Sequence, residues 1–153
     1  MKRVFILWIG LLALQPSMAQ TRQLQTDVLV IGTGTGGTAA ALQSARMGVK
    51  TILIGPGNML GGMLTAAAVS CTDGNDQLPS GIWEEFRQAL YRHYGRKKLN
   101  SGWVSNTCFE PSVGDSIFKS WVQKEKALEW LAGFTLVGLI QDQKRIRGAL
   151  FQH

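Results

Sequence analysis

The residues with the clearest chemical meaning are glycines. Asp27–Gly37 reads DVLVIGTGTGG, which puts Gly32, Gly34 and Gly37 in G-x-G-x-x-G spacing with Gly36 as a fourth glycine. Such a turn brings bare backbone amides up to a pyrophosphate. Gly32 allows a tight exit from a strand, Gly34 lets the backbone approach the anion, and Gly37 lets helix and strand lie close. Free N–H groups at the start of the following helix face the negative charge. The competing reading is a plain β–turn–α connection whose glycines serve packing alone, but that reading leaves so many glycines in one turn unexplained.

A second glycine pair follows in Gly61-Gly62-Met63, within the Gly- and Ala-rich stretch Gly55–Leu78. Glycine there permits close approach to a ligand. A surface loop should be polar; this one is small and apolar, so it is expected to be buried against something. On base rates alone it reads as a Gly-rich connector. No catalytic base stands out. Asp73 and Cys71 lie where a loop could approach a cofactor, and a bland loop or core role suits both better. His93 lies on or beside an apolar helix stripe without an identifiable partner, so packing or capping suits it better than catalysis.

These residues need elements to hold them. Val28–Ile31 is a short apolar, β-branched run and reads as a fully buried strand of a parallel sheet. A helix is expected from about Gly36 to Met47, with Ala39, Ala40, Leu42, Ala45 and Arg46 on the face toward the sheet and Gly48 as a left-handed cap. Lys50–Ile54 is the second strand, closing a right-handed β-α-β unit. A dinucleotide fold normally carries an acid at the end of that strand to hold the adenosine ribose. The expected position is Gly55, which leaves the ribose to backbone groups or water and does not by itself exclude a 2′-phosphate.

Further on, Ser80 is placed to cap a helix over Ile82–Tyr94, whose stripe is Trp83, Phe86, Leu90 and Tyr94 and which ends at Gly95. Lys98–Glu110 reads as an ordered loop or irregular strand around Trp103, Val104, Cys108 and Phe109. Pro111 opens another helix, with Asp115 in its early turns and Val113, Ile117, Phe118, Trp121 and Val122 facing the core. Leu128–Leu131 fits either an extension of that helix or a short strand. FTLVGLI and RIRGALF form a hairpin across the four-residue loop Gln141–Lys144.

Composition bounds the rest. The 153 residues suffice for one domain with a real core, at 45% hydrophobic and 17% charged. Lys2 and Arg3, the apolar run Val4–Leu14 and the small residues of Ser17-Met18-Ala19 describe a signal peptide over 1–19, cut before Gln20. The apolar run falls short of the roughly 20 residues a membrane span needs. The expected location is therefore the periplasm or the exterior, with no stable membrane insertion after cleavage. Without Lys2 and Arg3 the net charge falls from +6 to a mild +4. Arg96-Lys97-Lys98 follows a helix and suits its C-terminal dipole, and no aromatic–basic interleaving suggests nucleic acid. Cys71 and Cys108 fit no zinc or redox spacing; an exported chain allows a disulfide between them, and two free thiols are an equal alternative.

Four segments together carry a family resemblance: DVLVIGTGTGGTAAALQSARMGVKTILI, NMLGGMLTAAAVSCTDGN, LPSGIWEEFRQALYRHYG and GWVSNTCFEPSVGDSIFK. They resemble the N-terminal part of FAD-dependent oxidoreductases of the glutathione-reductase-like flavoprotein superfamily, nearest the exported bacterial group described as xanthan-lyase-related. The resemblance covers Asp27–Phe151. It implies an α/β fold, a Rossmann-like FAD-binding β-α-β unit with helices and a C-terminal hairpin that begins a β-meander. It implies that Gly32, Thr33, Gly34, Thr35, Gly36 and Gly37 wrap the FAD pyrophosphate. Gly61, Gly62 and Met63 would lie by the pyrophosphate or ribityl chain, and Gly55 sits where members carry Glu. Members are several times longer, so 20–153 would be the N-terminal portion of an FAD/NAD(P)-binding domain, from a gene fragment, truncated reading frame or frameshift.

The resulting expectation is the FAD-binding portion of an oxidoreductase that passes hydride from an unknown small molecule to FAD. An NAD(P)-binding Rossmann enzyme is the alternative, a non-catalytic truncated fragment another, and a carbohydrate-binding module a weaker fourth. Lys2-Arg3 is not a twin-arginine signal, so export by the general route would require FAD to be loaded outside the cytoplasm.

Overall fold

The computed structural model describes residues 21–72, 78–102 and 105–153. Residues 1–19, read from the sequence as a signal peptide, lie outside the described residues, as do Asp73, Trp103 and Val104. Strand β1 (Val28–Ile31) leads into helix α1 (Thr35–Arg46), and α1 into β2 (Thr51–Gly55). The two strands are parallel, in register from Val28↔Thr51 to Ile31↔Ile54. Gly48, at φ +82°, turns the chain after α1. This is the expected β-α-β unit.

A third parallel strand, β6 (Leu128–Ala132), pairs with the other side of β2 from Thr51↔Leu128 to Gly55↔Ala132. It resolves the ambiguous Leu128–Leu131 run as strand. The order β1-β2-β6 makes β2 central and β1 an edge. All five residues of β2 are buried. β1 is not the fully buried strand expected from its composition: Leu29 and Ile31 are 37% and 45% exposed. An apolar run marks a strand in a sheet, but what packs over its two faces decides how far its side chains are buried, and in β1 the face of Leu29 and Ile31 is the open one.

α2 (Gly81–Tyr94) and α3 (Pro111–Lys124) complete the helical layer. Leu42 and Leu53 are fully buried, and Phe86, Phe118 and Val122 nearly so, in one core between sheet and helices. Phe86 stacks on Phe118 with centroids 4.7 Å apart. Pro111 stands in the first turn of α3, and Gly95 ends α2 at φ +62°. Ser80 holds the N-cap position of α2, but its side chain makes no capping bond. Arg46, expected on the sheet-facing side of α1, turns to the helices instead. It pairs with Glu85 of α2 at 2.9 Å and Glu125, just past α3, at 3.2 Å, with its guanidinium 5.6 Å from the Trp121 ring. Burying its stem while keeping these partners ties three helices together.

Lys98–Glu110 forms two strands, β4 (Asn100–Gly102) and β5 (Ser105–Cys108), in a small antiparallel sheet ordered β3-β5-β4 with β3 (Cys71–Thr72). Cys71 sits directly opposite Cys108, and the two form a disulfide. The register therefore selects the bonded alternative over two free thiols. A bond closing a loop of this length restricts the unfolded chain. Replacing both cysteines by serine is expected to lower the unfolding free energy by about 3–4 kcal/mol. Urea denaturation reads this; an unchanged midpoint would rule out a stabilising role for the bond.

β7 (Thr135–Asp142) and β8 (Arg145–Gln152) form the predicted hairpin. Its loop is the pair Gln143-Lys144 rather than four residues, because Asp142↔Arg145 and Gln141↔Ile146 continue the ladder. Gln143 takes φ +52° to close the turn. The Phe134 amide donates to the Gly55 carbonyl at 3.1 Å, which anchors the hairpin to the end of β2.

Candidate functional site

The glycine turn sits at the C-terminal end of β1, where ligands bind in open α/β sheets. Gly32 has φ +109°, a conformation that side chains rarely adopt. Its amide donates to the Ile54 carbonyl at 2.7 Å, so the turn leaves the sheet while still bonded to it. Gly34 is the N-cap residue of α1 and brings no side-chain cap, and the first turn holds no acid. The positive end of the α1 dipole is therefore left for a ligand from outside the helix.

The surroundings of each glycine separate those the fold needs from those it does not. A Cβ on Gly37 would lie 2.0 Å from the Gly32 carbonyl oxygen, so glycine there is required by packing. Gly61 and Gly62 have φ +97° and +50°, and Cβ atoms there would meet the Phe118 ring at 2.6 Å and Gly34 Cα at 2.6 Å. By contrast, a Cβ on Gly34 or Gly36 would find no protein atom within 4 Å. Gly34 is also in ordinary extended backbone, φ −64° and ψ 175°. Neither sterics nor backbone geometry within the chain demands glycine at 34. The bare position is a cradle, and it fits the approach of a pyrophosphate.

The structure brings the two glycine segments together. Gly34 and Gly61 form a parallel bridge. The Gly61 amide donates to the Thr33 carbonyl at 3.0 Å and to Thr38 Oγ1 at 3.1 Å. The Gly61 carbonyl accepts from Thr35 Oγ1 at 2.7 Å. The amide and carbonyl of Gly61 are thus bonded within the protein. The amides of Gly62 and Met63, which open the short turn Gly62–Leu64, find no acceptor among the described residues. They are the groups of this segment that remain for a ligand. The Met63 side chain is 64% exposed on the lip.

The stretch after the lip differs from expectation. Leu60 and Thr65 are buried, but Ala66–Val69 are exposed, so only the first part of the loop has the cover its composition suggested. Gly55 ends β2 with the Thr33 side chain against it: a Cβ there would lie 3.1 Å from Thr33 Cγ2 and 3.4 Å from Thr33 Oγ1. A side chain at 55 would therefore crowd Thr33. Cys71 is bonded to Cys108 and is no free nucleophile. His93 lies exposed at the end of α2 with its ring against Tyr94. A groove of about 660 Å³ at that same end is lined by Gln88, Tyr91, Arg92, Gly95, Arg96 and Lys97, and no glycine-turn residue borders it.

Residues 27–153 match the family described as FAD dependent oxidoreductase. The chain is 31% identical over 110 residues to mitochondrial dihydrolipoyl dehydrogenase of Mus musculus, covering 72% of this chain and 19% of that protein. In fold it is similar to L-proline dehydrogenase from P. horikoshii, with a TM-score of 0.56 at 12% identity, over 85% of this chain and 50% of that one. It is also similar to L-amino acid deaminase from Proteus myxofaciens, with a TM-score of 0.55 at 10% identity, over 88% and 44% of the respective chains. The chain thus spans half or less of the length of these proteins. With the family match running from the strand before the glycine turn through the terminal hairpin, the chain belongs to the FAD-dependent oxidoreductase family.

Proposed function

We propose that this chain supplies the FAD pyrophosphate site of an exported oxidoreductase acting on a small molecule. The carrying observation is the bare face at Gly34, beside an uncapped helix start and the free Gly62 and Met63 amides. Thr35, Gly36 and Gly37 form the helix end toward the diphosphate, while Gly32 and Thr33 shape the turn beneath it. When bound, FAD supplies the acceptor for a hydride, and the protein's part is to bind and orient it. The binding groups in this reading are backbone amides and the α1 dipole, which meet the anion.

Export is supported by the basic start, apolar run and small residues of 1–19, and by the Cys71–Cys108 disulfide, which suits an oxidising compartment. Among the described residues no helix is long and apolar enough to cross a membrane. The resemblance to the xanthan-lyase-related group supports a bacterial exported setting without naming a substrate.

The test is direct. Adding FAD to the chain from Gln20 onward at 100 times its dissociation constant is expected to stabilise it by about 2.7 kcal/mol. The readouts are a raised melting temperature and quenched flavin fluorescence. A shift with NAD and none with FAD would favour the nicotinamide reading; no shift with either would reject a cofactor site that works in this chain.

A further inference from the structure

The second glycine turn is held from below by one carboxylate. Asp115 lies in the second turn of α3 and is 8% exposed. Its Oδ1 accepts the Leu60 amide at 2.8 Å, and its Oδ2 accepts Lys119 Nζ at 2.6 Å. Lys119 in turn stands 5.6 Å from the Trp130 ring of β6. The Leu60 carbonyl accepts Thr65 Oγ1 at 2.6 Å. With the Gly61 bonds described above, every backbone polar group of Leu60 and Gly61 is committed. The next two amides, Gly62 and Met63, are the ones left over. α3 bonds this turn through Asp115, and no side chain would fit at Gly61 against Phe118 or at Gly114 against Phe109.

We infer that Asp115 is a positioning residue for the FAD site: by binding the Leu60 amide it sets where the Gly62 and Met63 amides stand against the start of α1. This rests on the FAD reading above. Asp115 touches no cofactor atom; it acts through the Leu60 peptide. Three threonine hydroxyls fix the rest of the turn to α1 and to itself, but among the described residues only Asp115 ties the Leu60 amide to α3. Lys119 balances the carboxylate, so a negative group is tolerated beneath an anion site.

The test uses the chain from Gln20 onward, with FAD titration and native-state hydrogen exchange of the parent, Asp115→Asn and Asp115→Leu. The Asn side-chain oxygen can still accept the Leu60 amide, because Lys119, one-third exposed, can turn to water. Asp115→Asn is therefore expected to bind FAD within about threefold of the parent, and Asp115→Leu at least about tenfold more weakly. In the parent without FAD, the Leu60 amide should be protected well above the neighbouring Met63 amide. Equal affinity of Asp115→Leu and the parent would overturn the inference, as would an equal loss in both variants. If Asp115→Leu does not fold, Leu60 exchange in the parent decides: exchange as fast as at Met63 rejects the role. If the parent itself takes up no FAD, the cofactor reading fails, while Leu60 protection still reports whether Asp115 holds the turn.

Discussion

Gly34→Ala is expected to fold like the parent and to lose FAD. Ala adopts φ −64° and ψ 175° without strain, and its Cβ would meet no protein atom within 4 Å. The cost to the apo chain is confined to the helix cap, where Ala is a poorer N-cap than Gly by up to about 1 kcal/mol. The added methyl instead occupies the face that the diphosphate must approach. Overpacking of about 1–3 kcal/mol there corresponds to a roughly 5- to 150-fold weaker FAD complex. The measurement is paired: urea unfolding of the apo chain and fluorescence titration with FAD. If affinity is unchanged, the cradle at Gly34 is not where the cofactor sits. If the apo chain collapses instead, the glycine serves the fold and the inference from open space fails.

Gly37→Ala has the opposite profile. At an ordinary helix position, Gly to Ala stabilises by about 1 kcal/mol. Here the Cβ would sit 2.0 Å from the Gly32 oxygen and 3.1 Å from the Gly32 carbonyl carbon. Both are backbone atoms of a turn already held at φ +109°, so no side chain can swing aside. Either α1 lifts from β1 or the turn opens. The expected loss is about 3 kcal/mol or more, at the upper end of overpacking. FAD binding should fail with the fold, not ahead of it. A Gly37→Ala chain as stable as the parent would mean that α1 does not lie on the turn as closely as described. Together the two variants separate glycine as a ligand surface from glycine as a packing device, which the motif alone treats alike.

The local parts of the site were legible because their causes are local. Strand, glycine turn and helix follow one another within a few residues, and each is specified by its own composition. Gly48 and Gly95 ended helices as expected, and Pro111 opened one. Errors arose where burial depended on a distant neighbour. Val28–Ile31 read as fully buried, yet in β1 the face of Leu29 and Ile31 is open. Ala66–Val69 read as covered, yet they are exposed. The spacing also did not show that the Gly61 amide and carbonyl bond to Thr33, Thr35 and Thr38. Asp115 read only as an acid near a helix start; nothing nearby in the chain shows that Leu60 is its partner.

By itself the sequence determined a β-α-β unit with a glycine turn competent for a pyrophosphate, and its longer segments pointed to FAD. Those properties come from backbone freedom, hydrophobic period and helix termini, all set within about a dozen residues. Only the tertiary structure decided which glycines packing requires, which cysteine alternative holds, which strand lies at the centre and which side chain binds the Leu60 amide. Each of these is a contact between segments far apart in the chain, fixed by sheet order and helix packing. Composition constrains such contacts but does not specify them. At Gly34 both levels meet: the spacing made it a candidate, and the empty space around its missing side chain made it a cradle.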